Sequence, residues 1–434
     1  MFSLLSASYS RVALYLAIVG AAFCLTLPAQ AQTFTVLHNF TGGADGGNPY
    51  AGLTMDGGGN LYGTASVGGA GGGGTAFELS HRGSGWVLSV LRSFQGGGDG
   101  GLPEARIVFG PDGTLYGTTI GGGAYGYGTV YKLQPRSNAC PTIFCEWTET
   151  VLHSFSGYPD DGASPSRDDV VFDSSGNIYG ATYNGGNSGY TCANDSPCGT
   201  VYELTHSSQG WSESVLYNFE GNDDGAFPNG VRFGSTGNLV GTTSFRGSGE
   251  WGTVFSLAPD GHGGWSLTPL YSFTGQNDGA SPEAGVIPDG AGGFLGTTSF
   301  GGSGNGGTVW QLSPSGGTWL LNTLTSFTYS GMIGLTPPGT ASVLTMDNAG
   351  NLYGTTVLDG AYSQGSVFKL THSDSGWTYT TLHDFTGGSD GANPWGQLVL
   401  DANGNIYGTA SAGGSTVGSC YQGLGCGVIF EITP

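Results

Sequence analysis

A motif of the form Asn-Leu-Tyr-Gly-Thr recurs along the chain, and this recurrence constrains the fold more than any other feature. Its seven glycines lie at positions 63, 117, 180, 241, 296, 354 and 408, in steps of 54, 63, 61, 55, 58 and 54 residues. Repeats of this length, built from short β-rich runs, are typical of propeller blades. The sequence therefore predicts an all-β fold, a seven-bladed β-propeller.

Each repeat contains four runs of strand length. The first is apolar, the second carries the Tyr-Gly motif, and the third follows a Gly-Thr pair, as in Val130–Leu133. The fourth begins with Trp and ends with Phe eight residues later: Trp86 and Phe94, Trp147 and Phe155, Trp211 and Phe219, Trp265 and Phe273, Trp319 and Phe327, Trp377 and Phe385. An even separation predicts that both rings lie on one face of the strand and fill the space between adjacent sheets.

The seventh repeat stops after its third run, at Ile429–Ile432. The missing strand has a counterpart near the other end of the chain, because Thr35–Phe40 resembles Thr150–Phe155 of the second repeat. We therefore expect four-stranded blades in a ring closed by the N-terminal strand, which completes the last blade. Closure of this kind leaves few exposed sheet edges.

The repeated pattern D-G-x-x-P … G-N-L-Y-G-T-T … G-G … G-T-V-F-K-L resembles that of the GloVer (Gloeo/Verruco) tandem-repeat family of secreted bacterial proteins. The resemblance covers nearly all of residues 32–434. It implies an exported bacterial protein with a propeller-like build. The family brings no established reaction or ligand, so function has to be argued from the residues.

Residues 1–31 have the pattern of a secretory signal peptide. Arg11 precedes the apolar run Val12–Leu27, and Pro28–Ala31 offers small residues for cleavage. The apolar run is shorter than the ~20 residues that span a bilayer. We expect a mature chain of residues 32–434 that forms one propeller domain and is secreted, periplasmic or exported to the cell surface.

The chain is strongly acidic, with a formal net charge of −21. Removal of residues 1–31 takes away Arg11 and no acid, which leaves 31 acidic residues against nine Lys and Arg, or −22. Such a chain repels phosphate backbones and anionic lipids. We therefore expect no nucleic-acid partner. We also expect no membrane span in the mature chain, an extracellular glycan or protein as partner, and a monomer.

Every cysteine after residue 31 lies in an insertion between strands. The pairs are Cys140 with Cys145, Cys192 with Cys198, and Cys420 with Cys426. In an exported protein this spacing predicts three local disulfides. Metal binding is the alternative, which the lack of a nearby His or a second Cys pair disfavours.

A second motif, Asp-Gly-x-x-Pro, precedes six of the seven repeats. Its aspartates are Asp45, Asp99, Asp161, Asp224, Asp278 and Asp390. Because strands alternate in direction, these loops share a face, here called the top face, with the second-to-third-strand loops that hold Cys192–Cys198 and Cys420–Cys426. This face is the predicted binding site.

The aspartates have two interpretations. Asp before Gly caps turns through backbone N–H groups, and this interpretation carries more weight. Alternatively, some bind a cation or a polyhydroxylated ligand, with Asp160 and Asp223 as additional carboxylates. We expect no obligatory cofactor; if calcium is bound, Asp161 and Asp224 are the first candidates. Trp251 and Trp395 are candidates for stacking on sugar rings, but a packing role is the interpretation that carries more weight for each.

No catalytic motif was found in the sequence, and the Gly-x-Gly-x-x-Gly runs join strands rather than a strand and a helix. His38, His153 and His383 share one repeat position that elsewhere is Arg, Tyr or Thr, which argues against a common catalytic role.

We expect a non-catalytic propeller that binds a glycan, protein or cation on its top face. The alternative is a hydrolase or lyase acting on a carbohydrate or lactone, which a His or Tyr against carboxylates at the channel mouth would favour.

Overall fold

The computed structural model describes residues 32–83, 85–136, 146–187, 192, 197–328, 342–374, 376–414, 420 and 424–434. The described residues form 29 strands in seven antiparallel sheets, which are the blades. In the described ranges no helix is long and apolar enough to cross a membrane. The predicted signal peptide and the pair Cys140 and Cys145 lie outside the described residues.

The first three blades follow one another along the chain. Blade 1 contains β2 (Thr54–Met55), β3 (Leu61–Ala65), β4 (Thr75–Arg82) and β5 (Gly85–Ser93). Blade 2 contains β6 (Val108–Phe109), β7 (Leu115–Thr119), β8 (Thr129–Gln134) and β9 (Thr148–Ser154). Blade 3 contains β10 (Gly162–Pro165), β11 (Val171–Phe172), β12 (Ile178–Gly185), β13 (Thr200–Ser207) and β14 (Gly210–Asn218).

The remaining blades complete the ring. Blade 4 contains β15 (Ala226–Phe233), β16 (Leu239–Phe245), β17 (Thr253–Pro259) and β18 (Trp265–Ser272). Blade 5 contains β19 (Ile287–Pro288), β20 (Phe294–Thr298), β21 (Asn305–Ser315) and β22 (Thr318–Thr328). Blade 6 contains β23 (Thr345–Met346), β24 (Leu352–Thr356), β25 (Ser366–Ser373) and β26 (Gly376–Asp384). Blade 7 contains β27 (Val399–Leu400), β28 (Ile406–Ala410), β29 (Val428–Thr433) and β1 (Thr33–Asn39).

The N-terminal strand closes the ring as predicted. β1 pairs antiparallel with β29, from Thr33 opposite Thr433 to Asn39 opposite Val428. Phe40, directly after β1, is fully buried in a cluster with residues of blade 1. The fold is therefore a closed seven-bladed propeller with four-stranded blades, in which the first strand of blade 3 is divided into β10 and β11.

The glycine of the repeated motif makes room for an aromatic ring. In every blade it pairs with the aromatic residue of the third strand: Gly63 with Phe77, Gly117 with Tyr131, Gly180 with Tyr202, Gly241 with Phe255, Gly296 with Trp310, Gly354 with Phe368 and Gly408 with Phe430. A Cβ atom on any of these glycines would lie closer than 3.0 Å to that ring. The motif thus requires glycine because the ring lies across the backbone.

These same rings join neighbouring blades. The Phe that ends each outer strand contacts the third-strand aromatic residue of the next blade, with ring centroids 5.0–5.6 Å apart. Phe40 makes this contact with Phe77 across the closure. Each Phe is at most 4% exposed, and burial of such a side chain stabilises a fold by roughly 1.5–3 kcal/mol.

The prediction that the Trp and Phe of an outer strand share a face was wrong. Trp86 packs between blades 7 and 1, whereas Phe94 packs between blades 1 and 2. The cause is a β-bulge in the outer strand, where the pairing shifts from Ala76 opposite Arg92 to Phe77 opposite Val90 and so bypasses Leu91. One extra residue reverses the alternation of side chains. The other six outer strands show the same shift.

Two of the predicted disulfides lie in the described residues. Cys192 is bonded to Cys198, and Cys420 is bonded to Cys426. The sulfur atoms of the second pair lie against Gly42, where a Cβ atom would contact them. Each bridge therefore packs on the Asp-Gly loop that follows its own blade; Gly221 is the corresponding contact of the first pair.

The glycine–ring contact can be tested with a matched pair of variants in blade 1. Gly63→Ala places a methyl group against Phe77 and Leu53, so we expect a loss of about 1–3 kcal/mol in the free energy of unfolding. Gly57→Ala, where a Cβ atom meets nothing within 4 Å, should stay within about 0.5 kcal/mol of the parent. Denaturant unfolding measures both, and equal stability of the two variants would contradict the proposed role of the motif glycine.

Candidate functional site

The mouth of the central channel on the top face is the candidate functional site. Arg167 of blade 3 lies over the ring of Tyr50 of blade 1, with 5.8 Å between the guanidinium carbon and the ring centroid. Blades 1 and 3 are not neighbours, so this contact places both residues at the centre of the ring. Both follow the Pro of an Asp-Gly-x-x-Pro motif by one or two residues, where the chain enters the first strand of a blade.

Arg167 is held at the mouth although most of its side chain is exposed. Its Nε donates to Oε2 of Glu104 of blade 2 over 2.6 Å, and the side chain is 60% exposed. Partial desolvation by the surrounding channel wall acts to lower the pKa of the guanidinium, but Glu104, Glu283 and Tyr50 raise it overall. A guanidinium has five N–H donors, and this ion pair uses only one of them. The remaining donor positions suit a ligand with several acceptor oxygens.

Further aromatic side chains lie near Tyr50 and this guanidinium. Trp395 of blade 7 contacts Tyr50 edge to face, with ring centroids 6.3 Å apart. Tyr183 of blade 3 stacks on Phe227 of blade 4 at 4.7 Å, and Tyr183 is 40% exposed. Burial is the largest cause of a raised pKa at Tyr183, and Glu283 adds to it. The phenol is therefore neutral and available as a hydrogen-bond donor.

Glu283 of blade 5 is the second carboxylate of the mouth. Burial raises the pKa of Glu283 to about 7, although Arg167 and a hydrogen bond with Ser299 act in the opposite direction. A carboxyl group with this pKa exists in both protonation states near neutrality. It could therefore accept or donate a proton at the mouth.

A buried ionic network follows Arg167 directly in the chain, between β10 and β11. Asp169 binds both Arg106 of blade 2 and Arg232 of blade 4, and Nη2 of Arg232 also donates to Oδ1 of Asp168 over 2.9 Å. Burial by itself raises the pKa of Asp169, but the two guanidinium groups lower it overall. The network connects three blades across the channel wall.

Asp168 is buried in this wall. Its side chain is 6% exposed, and its Oδ2 has no hydrogen-bond partner among the described residues. A Cβ atom on Gly230 of blade 4 or Gly285 of blade 5 would collide with this carboxylate. Burial raises the pKa of Asp168. The glycines of two blades therefore provide the space that the carboxyl group occupies.

The aspartates predicted from the sequence lie in the loops of individual blades. Each bonds to a backbone N–H of its own loop and to a side chain of the preceding outer strand: Asp45 to Thr41 and His38, Asp99 to Gln95 and Arg92, Asp161 to Ser156 and His153, Asp224 to Glu220 and Tyr217, Asp278 to Thr274 and Tyr271, Asp390 to Thr386 and His383. This geometry is that of turn caps. A ligand-binding role for them stays a prediction.

The other predicted residues are separated from one another. Asp160 and Asp223 are exposed beside the capping aspartates. Trp251 is 44% exposed and lies over Gly275 in the loop that follows blade 4. Among the sequence candidates, Trp395 is the one that the structure places at the channel mouth. The second-to-third-strand loops that hold Cys192–Cys198 and Cys420–Cys426 are expected to border the binding site; their segments 187–198 and 415–426 lie largely outside the described residues.

Sequence reasoning missed Tyr50, Glu104, Arg167 and Glu283. Two signals could have identified them. The first signal is in the Asp-Gly-x-x-Pro motif, because the residue after its Pro varies between repeats. The third repeat also has one extra residue after this Pro: the interval from Pro165 to Phe172 is one residue longer than the corresponding interval from Pro103 to Phe109. The second signal is the scarcity of basic residues: the whole chain has only 10 Lys and Arg residues, and three of them, Arg106, Arg167 and Arg232, lie at the channel.

The turn-cap interpretation predicts a difference between two adjacent aspartates. Asp224 accepts hydrogen bonds from two backbone N–H groups and from Tyr217, so Asp224→Ala should lower the free energy of unfolding by about 1–3 kcal/mol. The exposed Asp223→Ala should change it by less than about 0.5 kcal/mol. Unfolding is measured with and without calcium, and a loss that appears only with calcium would identify Asp224 as a cation ligand instead.

The raised pKa of Glu283 predicts a pH dependence of stability. The unfolded chain releases this proton near pH 4.5 and the folded chain near pH 7, so deprotonation favours unfolding between these values. Glu283→Gln should therefore gain in melting temperature relative to the parent as the pH rises from about 4.5 to 7. The exposed Glu250→Gln should follow the parent. A constant difference between Glu283→Gln and the parent over this range would show that Glu283 titrates normally.

Comparisons with known proteins agree with the repeat pattern. A family model described as the Gloeobacter/Verrucomicrobia repeat matches residues 17–190 and 142–340. No curated protein matches the chain.

Solved structures show a likeness at low identity. The extracellular domain of a protein described as a hybrid two-component system from B. thetaiotaomicron is 11% identical over 92% of this chain and 39% of that chain, with a TM-score of 0.50. A protein from Bacteroides uniformis described as a 6-phosphogluconolactonase is 16% identical over 83% and 89%, with a TM-score of 0.49. A gluconolactonase from Xanthomonas campestris is 10% identical over 93% and 90%, with a TM-score of 0.43. The first of these likenesses supports the fold alone.

Proposed function

The chain belongs to the Gloeobacter/Verrucomicrobia repeat family, and we propose that it is an exported binding protein whose ligand is a glycan held at the top mouth of the channel. The observation that carries this proposal is the exposed guanidinium of Arg167 over the ring of Tyr50. The two disulfides of the described chain support an oxidising, extracytoplasmic location.

A glycan fits the chemistry of the mouth better than a hard cation does. Aromatic faces such as those of Tyr50 and Trp395 stack on the apolar face of a sugar ring. Arg167, Glu104 and Glu283 offer donors and acceptors for hydroxyl groups. A hard cation would be opposed by the guanidinium at the centre of the mouth, and its preferred oxygen ligands would have to converge there. A rigid ring also limits the ordering cost of binding.

A glycan array probed with the purified full-length protein tests the proposal, and calorimetry with the bound glycans then gives affinities. Arg167→Ala and Trp395→Ala should each weaken binding at least tenfold, because each removes a group that contacts the sugar. Arg82→Ala, an exposed arginine at the β4–β5 hairpin on the opposite face, should leave the affinity unchanged. Glycan binding that is insensitive to both mouth variants would place the site elsewhere, and binding of calcium or a protein alone would contradict the glycan assignment.

The second candidate is an enzyme acting on a carbohydrate or lactone at the same mouth. It is favoured by the position of Glu283, which lies near the phenol of Tyr183. Burial raises the pKa of this carboxyl group to about 7. A carboxyl group poised in this way is suited to general acid–base catalysis. Turnover of sugar lactones or oligosaccharides by the parent, lost in Glu283→Gln with binding retained, would favour the enzyme over the binding protein.

A further inference from the structure

A place between the outer strands of adjacent blades recurs around the ring, and we call it the rim notch. It is formed by the outer-strand residue two positions before the buried Phe, by the motif Asp that six of the seven following loops contain, and by the residue six positions before the buried Phe of the next outer strand. The first residue is His, Arg, Tyr or Thr, and the third is Leu88, Glu149, Glu213, Leu267, Leu321, Tyr379 or Phe34.

In the notch between blades 1 and 2, an arginine balances the carboxylates. Nη2 of Arg92 lies 2.8 Å from Oδ2 of Asp99, and Nε lies 2.7 Å from Oε2 of Glu149. Glu146 lies 3.5 Å from Nη1 of the same guanidinium. The side chain of Glu149 is 5% exposed, so this notch holds a largely buried carboxylate with a cation beside it.

The notch between blades 2 and 3 has the same two carboxylate positions and no arginine. His153 replaces the arginine, and Asp161 and Glu213 take the positions of Asp99 and Glu149. His153 Nε2 hydrogen-bonds with Oδ2 of Asp161 over 2.9 Å. Glu213 Oε1 is buried and has no hydrogen-bond partner among the described residues. The charged groups that act on Glu213 are Asp161 and His153.

We propose that the notch formed by His153, Asp161 and Glu213 is a binding site for a divalent transition-metal ion, for which Zn²⁺ is the natural probe. The ion takes the place that the guanidinium of Arg92 occupies in the neighbouring notch. This site lies at the outer rim of the propeller, so it is independent of the glycan proposal for the channel mouth.

The geometry fits an ion of this class. One ligand atom from each residue lies within 4.8 Å of the other two. Zinc takes nitrogen and carboxylate oxygen at about 2.0–2.2 Å in tetrahedral geometry, so two of its ligands are about 3.3–3.6 Å apart. The three side chains therefore need to close by up to about 1.5 Å, which is within the reach of side-chain rotations. Asp161 is already oriented, because Ser156 N donates to its Oδ2 over 2.8 Å.

The ligand types select the metal. An imidazole nitrogen suits zinc and its transition-metal neighbours, whereas calcium takes six to eight oxygen ligands. Three protein ligands would leave a coordination position of zinc for water. The side chain of His153 is 20% exposed, which provides access from solvent.

Two other notches provide an internal comparison. His38 pairs with Asp45 and His383 pairs with Asp390, at 3.1 and 3.2 Å. Their third positions are Leu88 and Phe34, and the ring of Phe34 stacks on His383 at 3.7 Å. These notches have two metal-ligating groups each, so Glu213 is the residue that distinguishes the proposed site.

The experiment titrates chelator-treated, full-length protein with Zn²⁺ or Ca²⁺ by calorimetry and follows the melting temperature. We expect one tight Zn²⁺ site per chain, a melting temperature raised by Zn²⁺, and a much smaller response to Ca²⁺. Glu213→Gln should weaken Zn²⁺ binding at least tenfold and abolish the rise in melting temperature. Since the buried Oε1 of Glu213 has no hydrogen-bond partner among the described residues, the metal-free variant should melt no lower than the parent.

Glu149→Gln is the matched control, because it changes the corresponding glutamate in the notch that contains Arg92. It should bind Zn²⁺ as tightly as the parent. His153→Gln is the second variant and should weaken Zn²⁺ binding as Glu213→Gln does. The proposal is overturned if the parent binds no Zn²⁺ at micromolar concentration, if Glu213→Gln binds it as tightly as the parent, or if Ca²⁺ binds the notch more tightly than Zn²⁺.

Discussion

The packing of an aromatic ring across a glycine is the contact on which the whole ring of blades depends. In blade 1, the ring of Phe77 lies over Gly63, and a side chain at that glycine would displace it. The same ring meets Phe40 of the neighbouring blade. One pair of residues thus organises the interior of a sheet and its junction with the previous sheet. Repeated seven times, this contact carries the core around the closed ring.

The bulge in each outer strand makes this arrangement possible. Leu91 is the bypassed residue in blade 1, and it reverses the faces to which Trp86 and Phe94 point. The outer strand consequently contributes one ring to the junction before it and one to the junction after it. A regular strand with the same spacing would direct both rings to one junction and leave the other with less buried apolar surface.

Since the repeated residues build the core and the turns, chemistry is left to the positions where the repeats differ. The six loop aspartates use their oxygens on backbone N–H groups of their own loops, which leaves the blades alike at these points. The third repeat differs, because Arg167, Asp168 and Asp169 lie between β10 and β11, at the channel. Its outer strand also carries Glu213 beside His153 of blade 2. Both proposed sites therefore involve blade 3.

Patterns in the sequence were enough to predict the number of blades, the closure by the N-terminal strand and the two disulfides of the described chain. These features depend on residue period, on the resemblance of Thr35–Phe40 to a fourth strand, and on short Cys spacings, all of which are local in the chain. Which side chains converge could be seen only in the three-dimensional fold. Arg167 and Tyr50 are 117 residues apart, and Glu213 and His153 are 60 apart. Their meeting depends on the curvature of the closed ring and on strand bulges, which no local pattern in the repeats encodes.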